Sequence, residues 1–494
     1  MNIDERDELE VELRKHKLDS LLLLIADKSR EMFNKGESLE TITWNRRIGG
    51  LTESFNQLML IWGLADLSYR AIKCSNDYRA QESKLDDLFK LNNLLAKVTD
   101  QEAGRRSSIK ITEQAKVDIF VGLPQTQFWW QDIARNRAGI VYHFLRYYLL
   151  LREMPNYFPD LKHPDKDLQE ITGFGIDDFS KLLFACYALL LTAPSSEFSI
   201  INVDVKVTQK NPVVTSDNIK KCLSFFTADY LYYRQETHPN NPLFFRPVIQ
   251  TQSKRLIVAN AFLFIKKFYE GIYWIIRDKY MQNNSQDFTN AFGHYYEKYI
   301  ESLLSYYLKP GVFQKIGNDK GGADWIVYTD KYRLIIEQKS SLMSVKLKKE
   351  YPSLEELDKY LVNFNKACAQ LRKTNNAIKE NNRITVNLIL HFEKLYFKEA
   401  FVKKELLKLG GNDFDQLRNY YLIDTEEFEQ LIQVLSEDTN AVNEILDSKI
   451  AYEDNPPSPQ YGQDFFDILK MKRKFFEVKF LEKYRPIFDN LIVS

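Results

Sequence analysis

The chain has 494 residues, with 68 basic and 68 acidic side chains for zero formal net charge, 44% hydrophobic and 28% charged residues. That composition is too apolar for a disordered protein, and without net charge no whole-molecule field draws in nucleic acid or membrane, so a polyanionic partner has to be met by a local patch. Four scattered cysteines with no CxxC pair argue against a disulfide framework or a zinc site, and the length suggests two to four domains at roughly 100–200 residues each.

The opening MNIDERDELEVELRKHK lacks the apolar segment of a signal peptide. The longest apolar runs, LLLLIA from Leu21 and LLFACYALLLTA from Leu182, fall well short of the roughly 20 residues of a membrane span. A soluble, reducing, cytoplasmic setting without a membrane partner is therefore expected. Residues 1–194 read almost entirely as helices: Leu13, Leu18, Leu21, Leu22 and Ile25 recur at helical spacing, as do Ile61, Leu64, Leu67 and Ala71. Phe128–Leu151 forms one long aromatic helical pattern, and loops are expected at Gly104–Ser108 and Met154–Asp165.

Residues 195–286 change in texture and read as a mixed connecting segment. The alternation in Ser199–Gln209 predicts a strand, with Asn202, Asp204, Lys206 and Thr208 as a solvated face. A helix over Asn218–Gln235, a hairpin within Phe244–Asn260 and a further helix lead to the polar stretch Met281–Gln286, where the main boundary is placed.

Beyond it, Phe288, Phe292, Tyr295, Tyr299 and Leu303 make a helical stripe, with Glu297 among the residues at its edge. Two β-type runs follow, ADWIVY and YRLIIEQK. A two-residue turn at Asp330–Lys331 would set Asp324 directly opposite Glu337, on one face with Lys339; a three-residue turn would leave the carboxylates diagonal. Two adjacent carboxylates suit a hard divalent cation, and a lysine beside them can stabilise charge developing at phosphorus. The next helical pattern, Ser353–Glu380, carries Gln370, and ITVNLILHF (Ile384–Phe392) reads as another strand.

This order of elements, with its Asp, Glu-Gln-Lys and Gln, resembles the PD-(D/E)XK, or restriction-endonuclease-like, nuclease superfamily over residues 287–400. The one departure is Gly321-Gly322-Ala323 in place of a proline before Asp324. The resemblance implies a multidomain α plus α/β protein: a large helical N-terminal region, a nuclease core with a mixed central sheet flanked by helices, and a helical extension over 401–494. It implies that Asp324 and Glu337, with Glu297 as accessory acid, bind Mg²⁺ (or Mn²⁺), that Lys339 serves the water and the scissile phosphate, and that Gln370 assists. It further implies phosphodiester hydrolysis with DNA favoured over RNA, as an endonuclease, and by analogy of layout an effector of prokaryotic antiviral defence or restriction.

The spacing by itself is not diagnostic, since Asp464, Glu477 and Lys479 repeat it in a segment of helical pattern. The six histidines show no paired spacing, His294 and His391 are read as structural, and no phosphate-binding GxxxxGK[ST] occurs. Lys346, Lys348 and Lys349 could contact phosphates or form a solvated run. The N-terminal region is expected to serve regulation, a protein partner or homo-oligomerisation. Two rival functions stand beside cleavage: a nuclease scaffold that binds nucleic acid without cutting, and a helical interaction protein.

Overall fold

In a computed structural model, the described residues are 5–48, 51–107, 112–135, 137–198, 201, 203–235, 241–316, 321–342, 352–378, 382–396, 399–410, 417–454 and 477–486. The chain is mainly helical, with mixed sheet in its C-terminal half. Among these residues no helix is long and apolar enough to cross a membrane.

The N-terminal helices form where apolar residues recur every three or four positions. Leu18–Lys35 buries Leu18, Leu21, Leu22 and Ile25 and ends at Gly36, whose φ of 78° supplies the left-handed cap. The helix Ala261–Gln282 is central: Asn260 caps its first turn by accepting from the amides of Phe262 and Leu263. It packs against the helices Leu18–Lys35, Arg137–Tyr148, Ile176–Thr192 and Asp287–Tyr307. Gly271 lets Phe226 approach it, since a Cβ there would lie 2.8 Å from the ring.

Several local expectations differ from the structure. Strands β1 (Leu39–Ile48) and β2 (Leu51–Leu60) form a long antiparallel hairpin inside the region read as helical; alternation with β-branched residues in Leu39–Trp44 outweighs helix propensity there. The expected loop at Gly104–Ser108 is helical up to Ser107. The aromatic pattern from Phe128 divides into the helices Leu123–Arg135 and Arg137–Tyr148 and a π-type turn, Leu149–Glu153. Of the expected strand over Ser199–Gln209, residues 199, 200 and 202 lie outside the described residues, and Val205–Gln209 falls in a short helix, Val205–Lys210, because the Asp204 side chain caps it by accepting from the Lys206 amide. The helix over Asn218–Gln235 gives way after Ser224 to β3 (Thr227–Asp229) and a separate turn of helix, Tyr230–Arg234. β3 pairs with the expected hairpin, β4 (Val248–Gln250) and β5 (Leu256–Val258).

The main sheet runs in the order β10-β9-β8-β7-β6, built from β6 (Phe313–Lys315), β7 (Trp325–Tyr328), β8 (Tyr332–Lys339), β9 (Ile384–His391) and β10 (Tyr420–Asp424). β6, β7 and β8 are antiparallel, while β9 and β10 continue parallel to β8. β10 lies past residue 400, so the sheet extends into the stretch expected to be a helical extension. On one face Ile335 and Ile389 meet Leu357, Leu361 and Phe364 of the helix Leu354–Ala377. On the other, Leu334, Ile336, Leu388 and Leu390 join a core that continues into the N-terminal helices.

That continuity includes a buried ion pair. Arg146 grips Glu429 with Nε and Nη2, each at 2.6 Å, and the Tyr299 hydroxyl donates to the same carboxylate. Arg146 is 4% exposed and Glu429 fully buried. Removing one partner of such a pair costs about 3–5 kcal/mol, whereas replacing both with apolar residues is close to neutral. Glu429→Ala should therefore lower the urea midpoint by an equivalent amount, and the double variant Arg146→Met/Glu429→Leu should recover most of it.

Candidate active site

The site is set by the turn between β7 and β8. The Thr329 amide donates to the Tyr332 carbonyl at 2.8 Å and the Tyr332 amide to the Thr329 hydroxyl at 2.7 Å, leaving Asp330 and Lys331 as a two-residue loop. The pairing runs from Tyr328 opposite Arg333 to Trp325 opposite Ile336. One step further, Asp324 lies opposite Glu337, its amide donating to the Ile336 carbonyl at 3.0 Å and its Oδ2 accepting from the Gln338 amide at 2.7 Å.

Lys339 shares the face of Glu337, and its ammonium donates to Glu337 Oε1 at 2.5 Å and to Gln370 Oε1 at 3.1 Å. Gln370 in turn donates to the Gly322 carbonyl at 3.4 Å, tying the helix Leu354–Ala377 to the loop before Asp324. Thr374, one turn along that helix, accepts from the Ala323 amide at 2.8 Å. A Cβ on Gly322 would lie 2.5 Å from the Thr374 hydroxyl, so the glycine is what allows the loop to sit this close. Thr374 was not singled out from the sequence; its only signal was its place one turn beyond Gln370.

Glu337 is 2% exposed, and its Oε2 receives no hydrogen bond. It faces the Asp324 carboxyl, to which it donates when protonated. Burial, and then the Asp324 charge, push the Glu337 carboxyl up to about 8. Burial also raises Asp324, to about 6, against the lowering effect of the Gln338 amide and Lys339. Two buried carboxylates face to face, with the Lys339 ammonium beside them, favour keeping a proton between them, and the pair titrates as a unit.

Those two carboxylates and the waters a small cation retains match what Mg²⁺ takes from a protein. Glu297 stands near enough to raise Asp324 electrostatically but is ion-paired to Lys315 at 2.8 Å. Among the described residues no group of three or more His, Cys, Asp or Glu gathers at metal-binding separation. The donor set of Asp324 and Glu337 fits a hard divalent cation, with Glu297 close by and paired to Lys315.

The remaining candidates disperse. Lys346, Lys348 and Lys349 lie outside the described residues, as does Asp464. Lys479 is ion-paired to Glu437 at 3.0 Å. His391 is buried, its Nε2 2.8 Å from the Tyr360 hydroxyl and its Nδ1 2.8 Å from the Glu393 carbonyl. The chain matches no protein-family model, no curated protein and no solved structure.

Both raised carboxyls bind protons more tightly folded than unfolded, so their contribution to stability is full below about pH 4 and is lost as pH rises through about 6 to 8. In EDTA the thermal midpoint should fall over that window, and Glu337→Gln should flatten the fall. Mg²⁺ should raise the midpoint more at pH 8 than at pH 5, because protons compete for the same oxygens, and this increment should vanish in Glu337→Gln.

Proposed function

We propose that the chain is a metal-dependent nuclease of the PD-(D/E)XK type, hydrolysing phosphodiester bonds with DNA as the favoured substrate. The observation that carries the proposal is the facing of Asp324, immediately before β7, with Glu337 of β8, with Lys339 on the same face and hydrogen-bonded to Gln370. The order helix, β6-β7-β8, helix, β9, with β9 parallel to β8, supports it as the arrangement the resemblance implies.

Asp324 and Glu337 would hold the divalent cation, which when bound neutralises a phosphodiester oxygen and acidifies a water. The protein's own part is positioning. The Gln338 amide fixes one oxygen of Asp324 and leaves the other for the cation. Burial of Glu337 makes proton loss unfavourable until a cation replaces the proton. Gln370 and Glu337 steer the Lys339 ammonium, whose remaining N–H can donate to a phosphate oxygen as negative charge builds at phosphorus. A protein partner at the helical N-terminal region and a role in antiviral defence belong to the same proposal by analogy alone.

The test is cleavage of plasmid, linear duplex, single-stranded DNA and RNA with Mg²⁺ or Mn²⁺. Wild type should cut DNA, Glu337→Ala should be inactive, and Lys339→Ala should fall by about 10²–10³-fold, the scale of losing one preorganised charge-stabilising donor. Gln370→Ala should lose less, about tenfold, because Lys339 keeps its bond to Glu337. Cutting that survives Glu337→Ala would refute the assignment.

A further inference from the structure

A cavity of about 760 Å³ lies away from Asp324, Glu337 and Lys339, between the N-terminal helices and the segments that leave β9 and β10. Its volume is that of a small-molecule site. Trp129, Trp274 and Tyr269 form part of its wall, with Lys266 over the Trp129 ring at 4.8 Å and Arg277 over Trp274 at 5.0 Å.

The charges around it are sorted by sign. Near one end Arg246, Lys267 and Arg277 surround Asp278, and Lys267 also holds Glu270 at 3.2 Å, which leaves positive charge in surplus. At the other end Lys394 stands among Asp132, Asp424 and Glu426, paired to Asp132 at 2.8 Å; Asp424 also accepts from the Glu427 amide at 2.9 Å and Glu426 lies 3.5 Å from His143, so three carboxyls there meet one ammonium. Arg146 also lines the cavity, but its guanidinium is taken by Glu429. Tyr269 lies within reach of both sets, feeling Glu270 as well as Asp132 and Glu426.

A ligand matching this wall has a flat aromatic body, an anionic group at one end and N–H donors at the other. Rings stack on aromatic faces in offset or edge-on geometry, phosphate is met by guanidinium and ammonium groups, and carboxylates accept from amines. We propose that the cavity is a binding site for a purine nucleotide, with its ring against Trp274 and Tyr269, its phosphate toward Arg246 and Lys267, and its base N–H groups toward Asp424 and Glu426. The cavity wall and the candidate active site are one hydrogen bond apart, since the Phe392 amide, whose residue lines the cavity, donates to the Lys339 carbonyl at 2.9 Å.

The proposal does not depend on the nuclease reading, and its test keeps the two separate. Isothermal titration of the full chain in EDTA with AMP and GMP should show saturable one-site binding, and ribose 5-phosphate should show none. Arg246→Met and Glu426→Gln should each weaken the nucleotide roughly tenfold, about one charge-assisted hydrogen bond. Circular dichroism of each variant checks folding, and Glu337→Gln should leave the affinity unchanged. Absence of nucleotide binding up to millimolar concentration would overturn the proposal. So would ribose 5-phosphate binding as tightly as AMP, an affinity indifferent to both wall variants, or binding lost in Glu337→Gln.

Discussion

Everything at the candidate site follows from a carboxylate placed at the end of a strand with no free side. β8 has β7 on one edge and β9 on the other, and its two faces belong to two different apolar clusters. Leu334, Ile335 and Ile336 satisfy that position with complete burial, and Glu337 violates it. A charge there has to be answered by a proton, an ammonium or a cation. Each neighbouring feature supplies part of an answer: Lys339 directly, Gln370 by aiming Lys339, the Gln338 amide by holding Asp324, and Gly322 by letting that loop close on Thr374.

This region was readable from sequence because two periods coincide. An apolar run bounded by charged residues marks a central strand, and a short turn locks the side-chain alternation of the two strands together, so the facing of Asp324 and Glu337 depended only on whether the turn holds two residues or three, which the pairing of Thr329 with Tyr332 decides. The same Asp, Glu and Lys spacing near Lys479 has no such frame, and there the lysine pairs with Glu437 instead. Glu297 shows where position along a helix stops being informative. Its face was legible, but its partner Lys315 comes from β6, a three-residue strand too short to leave a pattern.

Elsewhere the failures have local causes. Leu39–Trp44 carries enough leucine and isoleucine to pass for helix until its alternation is matched with that of Leu51–Leu60 across Gly49-Gly50. Val203–Val207 alternates like a strand, yet a single aspartate able to bond an amide two residues on turned it helical. The cavity could not have been read at all. Trp129, Arg246, Tyr269 and Asp424 are distant in sequence, and only the packing of helices against strand ends brings them to one wall.

The pairing of Arg146 with Glu429 spans 283 residues of chain. During synthesis at about 5–20 residues per second, the arginine leaves the ribosome about 15–60 s before its carboxylate does. For that interval, closing the N-terminal helices around a guanidinium without its partner carries the cost of an unpaired buried charge, and the apolar faces that later meet the sheet have nothing of this chain to cover them. A nascent protein built this way can complete its first half only after the strand Tyr420–Asp424 and the helix Thr425–Glu437 have emerged.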